Sequence, residues 1–203
     1  MQNMKSHEEI FILSNQYTLL EDVLPIPRNR FVELDLGCGK GDLAVGMALR
    51  YPDRTVLAAD VMIGRLRKVL KKAGRNGVDN LFFLRVEARQ LLTYILADSS
   101  VDRLHILCPD PWPKERHRAH RLLTSDIMAQ LARILKPGGI FHFASDDKTY
   151  REEAVLNVRQ SGLFEEIPST GSIDDIADIR TEFERKWLSE GKTVPHMAFR
   201  VIK

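Results

Sequence analysis

Cysteine is nearly absent from this chain of 203 residues, and the two present, Cys38 and Cys108, form neither a disulfide framework nor a metal-ligand cluster. No bound metal is expected, and the composition suits a reducing compartment. Long apolar runs are missing as well. No stretch approaches the roughly 20 residues that span a bilayer, and the polar start, with Glu8 and Glu9 before the short run Ile10 to Leu13, lacks the pattern of a secretory signal. The expectation is a soluble, cytoplasmic protein with no membrane partner. Nor does one sign of charge dominate. Thirty Lys and Arg against 28 Asp and Glu leave a formal charge of +2, so a nucleic-acid partner must be sought in local clusters. Internal repeats and low-complexity tracts do not occur.

What is present is 44% hydrophobic residues, enough for the core of one domain. The first ~30 residues are the least regular and read as an N-terminal arm (1–30) before a single domain (31–203). From Phe31 onward, short β-rich runs alternate with segments of helical period, which predicts a mostly parallel sheet with helices on both faces. Strands are expected at Phe31 to Leu36, Thr55 to Ala59, Leu81 to Val86, Val101 to Cys108, Ile140 to Ala144, Leu163 to Ile167 and His196 to Ile202, seven in all. Helices are expected after the first and second of these, and again from Thr124 to Leu135, Lys148 to Gln160 and Phe183 to Leu188. Pro109-Asp-Pro-Trp-Pro113 forbids both helix and ladder, so an irregular loop follows the fourth strand.

Ligands of open α/β sheets sit beyond the carboxyl ends of the strands, and there the sequence offers Asp35, Asp60, Glu87 and Asp110 in turn. Each acid alone is an ordinary loop residue; the joint placement is what carries meaning. The turn Gly37-Cys-Gly-Lys-Gly41 lets a ligand approach the backbone at Gly37 and Gly39. A dinucleotide fingerprint would place glycine where Asp42 stands, and an anion at a helix N-terminus opposes a pyrophosphate. A nicotinamide dehydrogenase is therefore disfavoured. S-adenosylmethionine has no phosphate: its ammonium suits Asp35, its ribose diol Asp60 and its adenine amine Glu87.

The run Asp110-Pro-Trp-Pro-Lys114, followed by Arg116-His117 and Arg121, and the later Thr181-Glu-Phe-Glu184, resemble the bacterial tRNA (guanine-N7-)-methyltransferase family from Phe31 to the C-terminus. The resemblance implies a Rossmann-like class I methyltransferase fold that uses S-adenosylmethionine. It implies cofactor contacts at Asp35, Asp60, Glu87 and Asp110, beside the glycine turn at Gly37 and Gly39. Guanine N7 attacks without first losing a proton, so catalysis needs support for a base that becomes cationic, and Asp110 is the residue expected to give it. The resemblance also implies tRNA contacts at Lys114, Asp146, Thr181, Phe183 and Glu184, and the basic side chains Arg116 and Arg121 are expected to hold phosphates beside them. The family's usual Thr-Lys-Phe-Glu stands here with Glu182 in place of the cation, and where the family usually has Glu, Asp35 and Asp60 are one methylene shorter.

Lys114 to Arg121 is the densest basic segment, and its place beside the proline loop favours phosphate contact over a merely solvated surface. The cluster Arg65, Arg67, Lys68, Lys71, Lys72 and Arg75 alternates with apolar helix positions and reads as a solvated face. Trp112 reads as loop packing more than as a stacking platform, Trp187 as core, and Cys108 as a small buried hydrophobe. Competing functions are methylation of an adenine amine, whose usual Asp-Pro-Pro-Trp this chain lacks, and a non-catalytic RNA-binding module. The sequence carries no signal of oligomeric state.

Overall fold

Val32–Leu36 (β2) and Thr55–Asp60 (β3) are buried at every position, as parallel strands covered on both faces must be. The computed structural model describes residues 9–13, 19–24, 26 and 29–203. The remaining elements are β1 (Ile10–Ile12), α1 (Leu20–Val23), α2 (Asp42–Arg50), α3 (Ile63–Arg75), β4 (Leu81–Arg85), α4 (Ala88–Gln90) and β5 (Val101–Leu107). They continue with α5 (Ser125–Ile134), β6 (Leu135–Ala144), α6 (Lys148–Ser161), β7 (Phe164–Ile167), α7 (Glu182–Ser189) and β8 (His196–Val201).

The strands form one sheet in the order β1-β4-β3-β2-β5-β6-β8-β7, with β8 antiparallel to both neighbours and the other pairings parallel. Alternate side chains of the strands serve the two faces. Leu34, Leu36, Leu57 and Ala59 pack with Leu131 of α5 and Tyr150 of α6, while Val56 and Ala58 pack with Met47 of α2 and Val69 of α3. The chain leaves β2 in one direction across the sheet and returns to its other side at β5. That reversal opens a crevice at the carboxyl ends of β2 and β5.

The sheet has one strand more than the sequence suggested. Ile10, Phe11 and Ile12, inside the segment read as an arm, pair in parallel with Phe83, Leu84 and Arg85; three residues are too few for a period of two to show. The β6 strand starts at Leu135 rather than Ile140, because Leu135 pairs with Val101 and the Lys136 to Gly139 stretch is absorbed as an irregularity in the ladder. Residues Ala88–Gln90 and Leu91–Ile95 form a helical segment that no sequence signal marked. Among the described residues no helix is long and apolar enough to cross a membrane.

The stretch 168–180 is fastened to the sheet by charge. Glu33 of β2, fully buried, receives two hydrogen bonds from Arg103 of β5 at 3.0 and 2.7 Å, and Arg103 donates to both oxygens of Asp175 at 2.7 and 2.8 Å. Against the opposing effect of burial, the hydrogen bond to His105 and then these guanidinium contacts hold the Glu33 carboxyl down at about 2.

Candidate active site

The turn after β2 is anchored to the end of β3: the amides of Gly37 and Cys38 donate to the Ala59 carbonyl at 2.8 and 3.0 Å. Gly37 and Gly39 adopt φ of +80° and +55°, and a Cβ on Gly37 would stand in open space. The turn therefore offers bare backbone to a cavity of about 570 Å³, a volume suited to a nucleoside-sized ligand. Asp35, Gly37, Gly39 and Cys108 line it from the β2 and β5 ends, and Asp110 and Phe183 from the following segments. A larger cavity, about 730 Å³, lies at the opposite end of the sheet between Leu20 and Val101, away from the strand-end acids.

Asp35 is almost fully buried at the base of this cavity. Burial, reinforced by the charges of Asp60 and Asp42, pushes its carboxyl up to about 7, although the Ala44 amide donates to it. Asp60 braces the turn, accepting from the Gly39 amide at 3.1 Å and the Met62 amide at 2.8 Å. Asp42 occupies the N-terminus of α2 and is held ionised by Lys72 and by Arg185 of α7, against the effect of burial. An anionic ligand finds that helix end already filled.

The segment Thr181 to Glu184 is a capping box that starts α7 over the cavity. Glu184 accepts from the Thr181 amide and hydroxyl, both at 2.8 Å, and the Glu184 amide donates back to the hydroxyl at 3.2 Å. Thr181 and Phe183 face the cavity, and Glu182 pairs across its lip with Lys40 of the glycine turn.

A family profile described as "Putative methyltransferase" matches residues 29–197. A tRNA (guanine-N(7)-)-methyltransferase of Rhizobium johnstonii is 31% identical over 90% of this chain and 79% of its own length. That of Anaeromyxobacter dehalogenans is 32% identical over 91% and 96%, and that of Roseobacter denitrificans 35% over 83% and 72%. The chain belongs to the tRNA (guanine-N(7)-)-methyltransferase family. Its methyl donor is S-adenosylmethionine. The 16S rRNA methyltransferase KamB superposes with a TM-score of 0.62 at 19% identity over 87% of this chain and 90% of that one. The aminoglycoside resistance methyltransferase NpmB1 gives 0.60 at 20% over 91% and 94%. Both share the class I methyltransferase fold.

The cavity of this methyltransferase fits the donor in its charge pattern: a buried carboxylate for an ammonium, a backbone floor, and an α2 N-terminus closed to phosphate. Asp60 does not line it, and neither does Glu87. That carboxylate caps α4, accepting from the Gln90 amide at 2.9 Å. Cys108, with a φ of +48°, has its thiol pushed up to about 12 by burial, which keeps it a protonated thiol at neutral pH.

Beyond Asp110, Trp112 takes a φ of +42° and packs against His120 and His117, with ring centroids 5.0 and 5.8 Å away. Residues Glu115–His120 form a 3-10 turn with Lys114 just before it, and Lys114, Arg116 and Arg118 are exposed. Arg121 is a correction to the sequence reading. Its guanidinium is buried, donates to the Pro111 carbonyl at 2.8 Å, pairs with Glu153 and lies 5.0 Å above the Tyr150 ring, so it braces the loop instead of meeting phosphate. Glu184 is likewise buried and committed within the protein. Asp146 is exposed just after β6. Trp187 is half-buried beside Phe183, with Lys192 3.9 Å above its ring, not in the core.

The sequence reading missed the Lys40–Glu182 and Asp42–Arg185 pairs that fasten α7 to the glycine turn. The Thr-x-x-Glu spacing was the available signal for the capping box.

Proposed function

We propose that this protein transfers a methyl group from S-adenosylmethionine to N7 of a guanine in the tRNA variable loop, in the cytoplasm. The observation that carries the reading is that Asp35, the open glycine turn, Asp110 and Phe183 face one cavity beside an exposed basic turn. The bound donor supplies an electrophilic methyl. Guanine N7 has an available lone pair, so no side chain need remove a proton first. The protein's task is alignment and electrostatic support for a base that becomes cationic.

Asp110 supplies that support as an acceptor for the guanine edge, and Phe183 offers a face to a base that has left its stack. Lys114, Arg116 and Arg118 hold phosphates. Asp60 serves the ribose through the turn it braces. Labelled methyl transfer to unmodified tRNA, followed by nucleoside analysis, tests the assignment: N7-methylguanosine supports it, and N-methyladenosine or no transfer overturns it.

Two variants probe the parts. Asp110→Ala, checked for folding, is expected to lower kcat about a hundredfold, the scale of a lost electrostatic contact to developing charge; normal turnover would remove Asp110 from the reaction. Arg116→Ala with Arg118→Ala is expected to flatten the log–log salt dependence of tRNA affinity by about 1.5, since each phosphate contact contributes roughly 0.7–0.9. Lys68→Ala with Lys71→Ala on exposed α3 positions should change it by less than half as much. The reverse ranking would move the RNA path to α3.

A further inference from the structure

Helix α7 forms one wall of the donor cavity without a place in the core. Phe183 and Lys186, with the capping Thr181, line the cavity opposite the glycine turn and the ends of β2 and β5. Those opposing walls are rooted in the sheet: β2 is buried throughout, and so is Leu43 just behind the turn. In α7 the one buried residue is Glu184. Among the described residues its large apolar side chains stay out of both core clusters. Phe183 and Leu188 are exposed, and half-buried Trp187 leans edge-on against Phe183. The last apolar anchor before the helix is Ile179, which packs on the cluster beneath α2.

What holds α7 down is polar. Glu182 pairs with Lys40 of the glycine turn. Arg185 donates to Asp42 Oδ2 at 2.8 Å and to the Arg180 carbonyl, while Lys72 of α3 holds the other Asp42 oxygen. Glu184 Oε1 lies 2.8 Å from His196 Nε2 on β8. The side chains of Lys40, Glu182 and Arg185 are all more than half exposed. Exposed ion pairs are individually weak, and salt weakens them further. A helix seated by such contacts opens at lower cost than one whose apolar face is in the core. The strand ends cannot part without breaking the sheet, so the wall that yields is α7.

We propose that α7 is the movable wall by which S-adenosylmethionine enters and leaves, latched by the Lys40–Glu182 and Asp42–Arg185 pairs, with Glu182 and Arg185 as positioning residues that set Phe183 over the bound donor. The inference rests on the donor site and the function proposed above. Lys40 and Asp42 flank Gly41 at the start of α2, so the latch ties the yielding wall to the very turn that floors the cavity. Glu182 stands where the family usually has Lys; a cation there would face Lys40, and in this chain the acid completes the pair.

Release of S-adenosylhomocysteine, the demethylated donor, reads the latch without turnover, by chasing the labelled compound from the protein with excess unlabelled compound. Glu182→Lys is expected to speed release about fivefold, the scale of one exposed pair lost, and Lys40→Glu should do the same. The double exchange should return to within about twofold of wild type, because the pair re-forms with its signs reversed. Arg185→Gln should speed release about tenfold, since its charge-assisted bond is to the less exposed Asp42. Raising salt from about 0.05 to about 0.5 M should speed wild-type release about threefold and leave the Glu182→Gln, Arg185→Gln double variant unchanged. Wild-type rates in folded Glu182→Lys and Arg185→Gln, or a double exchange that recovers nothing, overturn the latch. If Arg185→Gln does not fold, the exchange at the exposed Lys40 and Glu182 decides alone. A change confined to S-adenosylmethionine, whose sulfonium the demethylated compound lacks, would put Glu182 on the donor itself and refute the positioning role. Hydrogen exchange is the independent check: α7 amides should exchange faster than those of α2 in the free protein and slow when S-adenosylhomocysteine binds. Protection of α7 equal to that of α2 without ligand refutes the movable wall. Absence of any tRNA methylation by wild type would overturn the proposed function, while release and exchange would still judge the latch.

Discussion

Arg121→Met is expected to lower the melting temperature by roughly 10 °C and to abolish most methyl transfer, though the side chain touches no ligand. Removing one partner of a buried ion pair costs about 3–5 kcal/mol, and each kcal/mol moves the transition of a chain this long by roughly 2–4 °C. Glu153 would be left without its guanidinium, and the Pro111 carbonyl without its donor. That carbonyl lies between Asp110 and the left-handed Trp112, so the loop that aims Asp110 loses its brace as the fold weakens. Calorimetric melting and a methyl-transfer assay check both effects. A variant that melts normally yet binds tRNA with a flatter salt dependence would return Arg121 to the phosphate-contacting set.

Much of the architecture was legible because buried parallel strands leave compact marks: Thr55 to Asp60 is a short apolar run ending in an acid, and Val32 to Leu36, though it carries Glu33 and Asp35, is a short β-rich run that breaks at a glycine turn. The β1 strand was not, since Ile10–Ile12 is held by pairing with β4 and has no pattern of its own. The start of β6 was hidden by Pro137 and the glycines after it, which ordinarily end an element; here the ladder bulges around them.

In the site, residues that act through backbone or charge at strand ends were readable from position, and Asp35, Gly37, Gly39 and Asp110 do share a cavity. Arg121 and Glu184 were misread for a common reason. Sequence shows that a side chain is charged, but its partner, Glu153 in one case and His196 in the other, lies 32 and 12 positions away. The hydrogen-bonded row of His105, His142 and His196 was equally invisible: three isolated histidines within strands meet only through the register of β5, β6 and β8.

Asp35→Asn is expected to bind S-adenosylmethionine about a hundredfold more weakly while making the free protein more stable at pH 8, because the wild-type carboxylate is held for the ligand at the expense of the fold. A carboxyl in the unfolded chain titrates near 4, whereas burial and the charges of Asp60 and Asp42 push the folded one up to about 7. The protonated form is therefore the one the free fold prefers. Its contribution to stability is complete below about 4 and is lost as pH rises through about 7, a change on the order of 4 kcal/mol. Asparagine does not titrate and keeps an oxygen for the Ala44 amide, so the difference in stability between variant and wild type should grow across that window. Cofactor affinity runs the other way. An ammonium needs the ionised carboxylate, so wild-type affinity should fall about tenfold per pH unit below about 7, with proton release on binding near neutrality, and the variant should show neither. Calorimetric titration in buffers of differing ionisation enthalpy, beside melting curves from pH 5 to 8, measures both limbs. Parallel pH dependence in the two proteins would mean that Asp35 does not receive the ammonium.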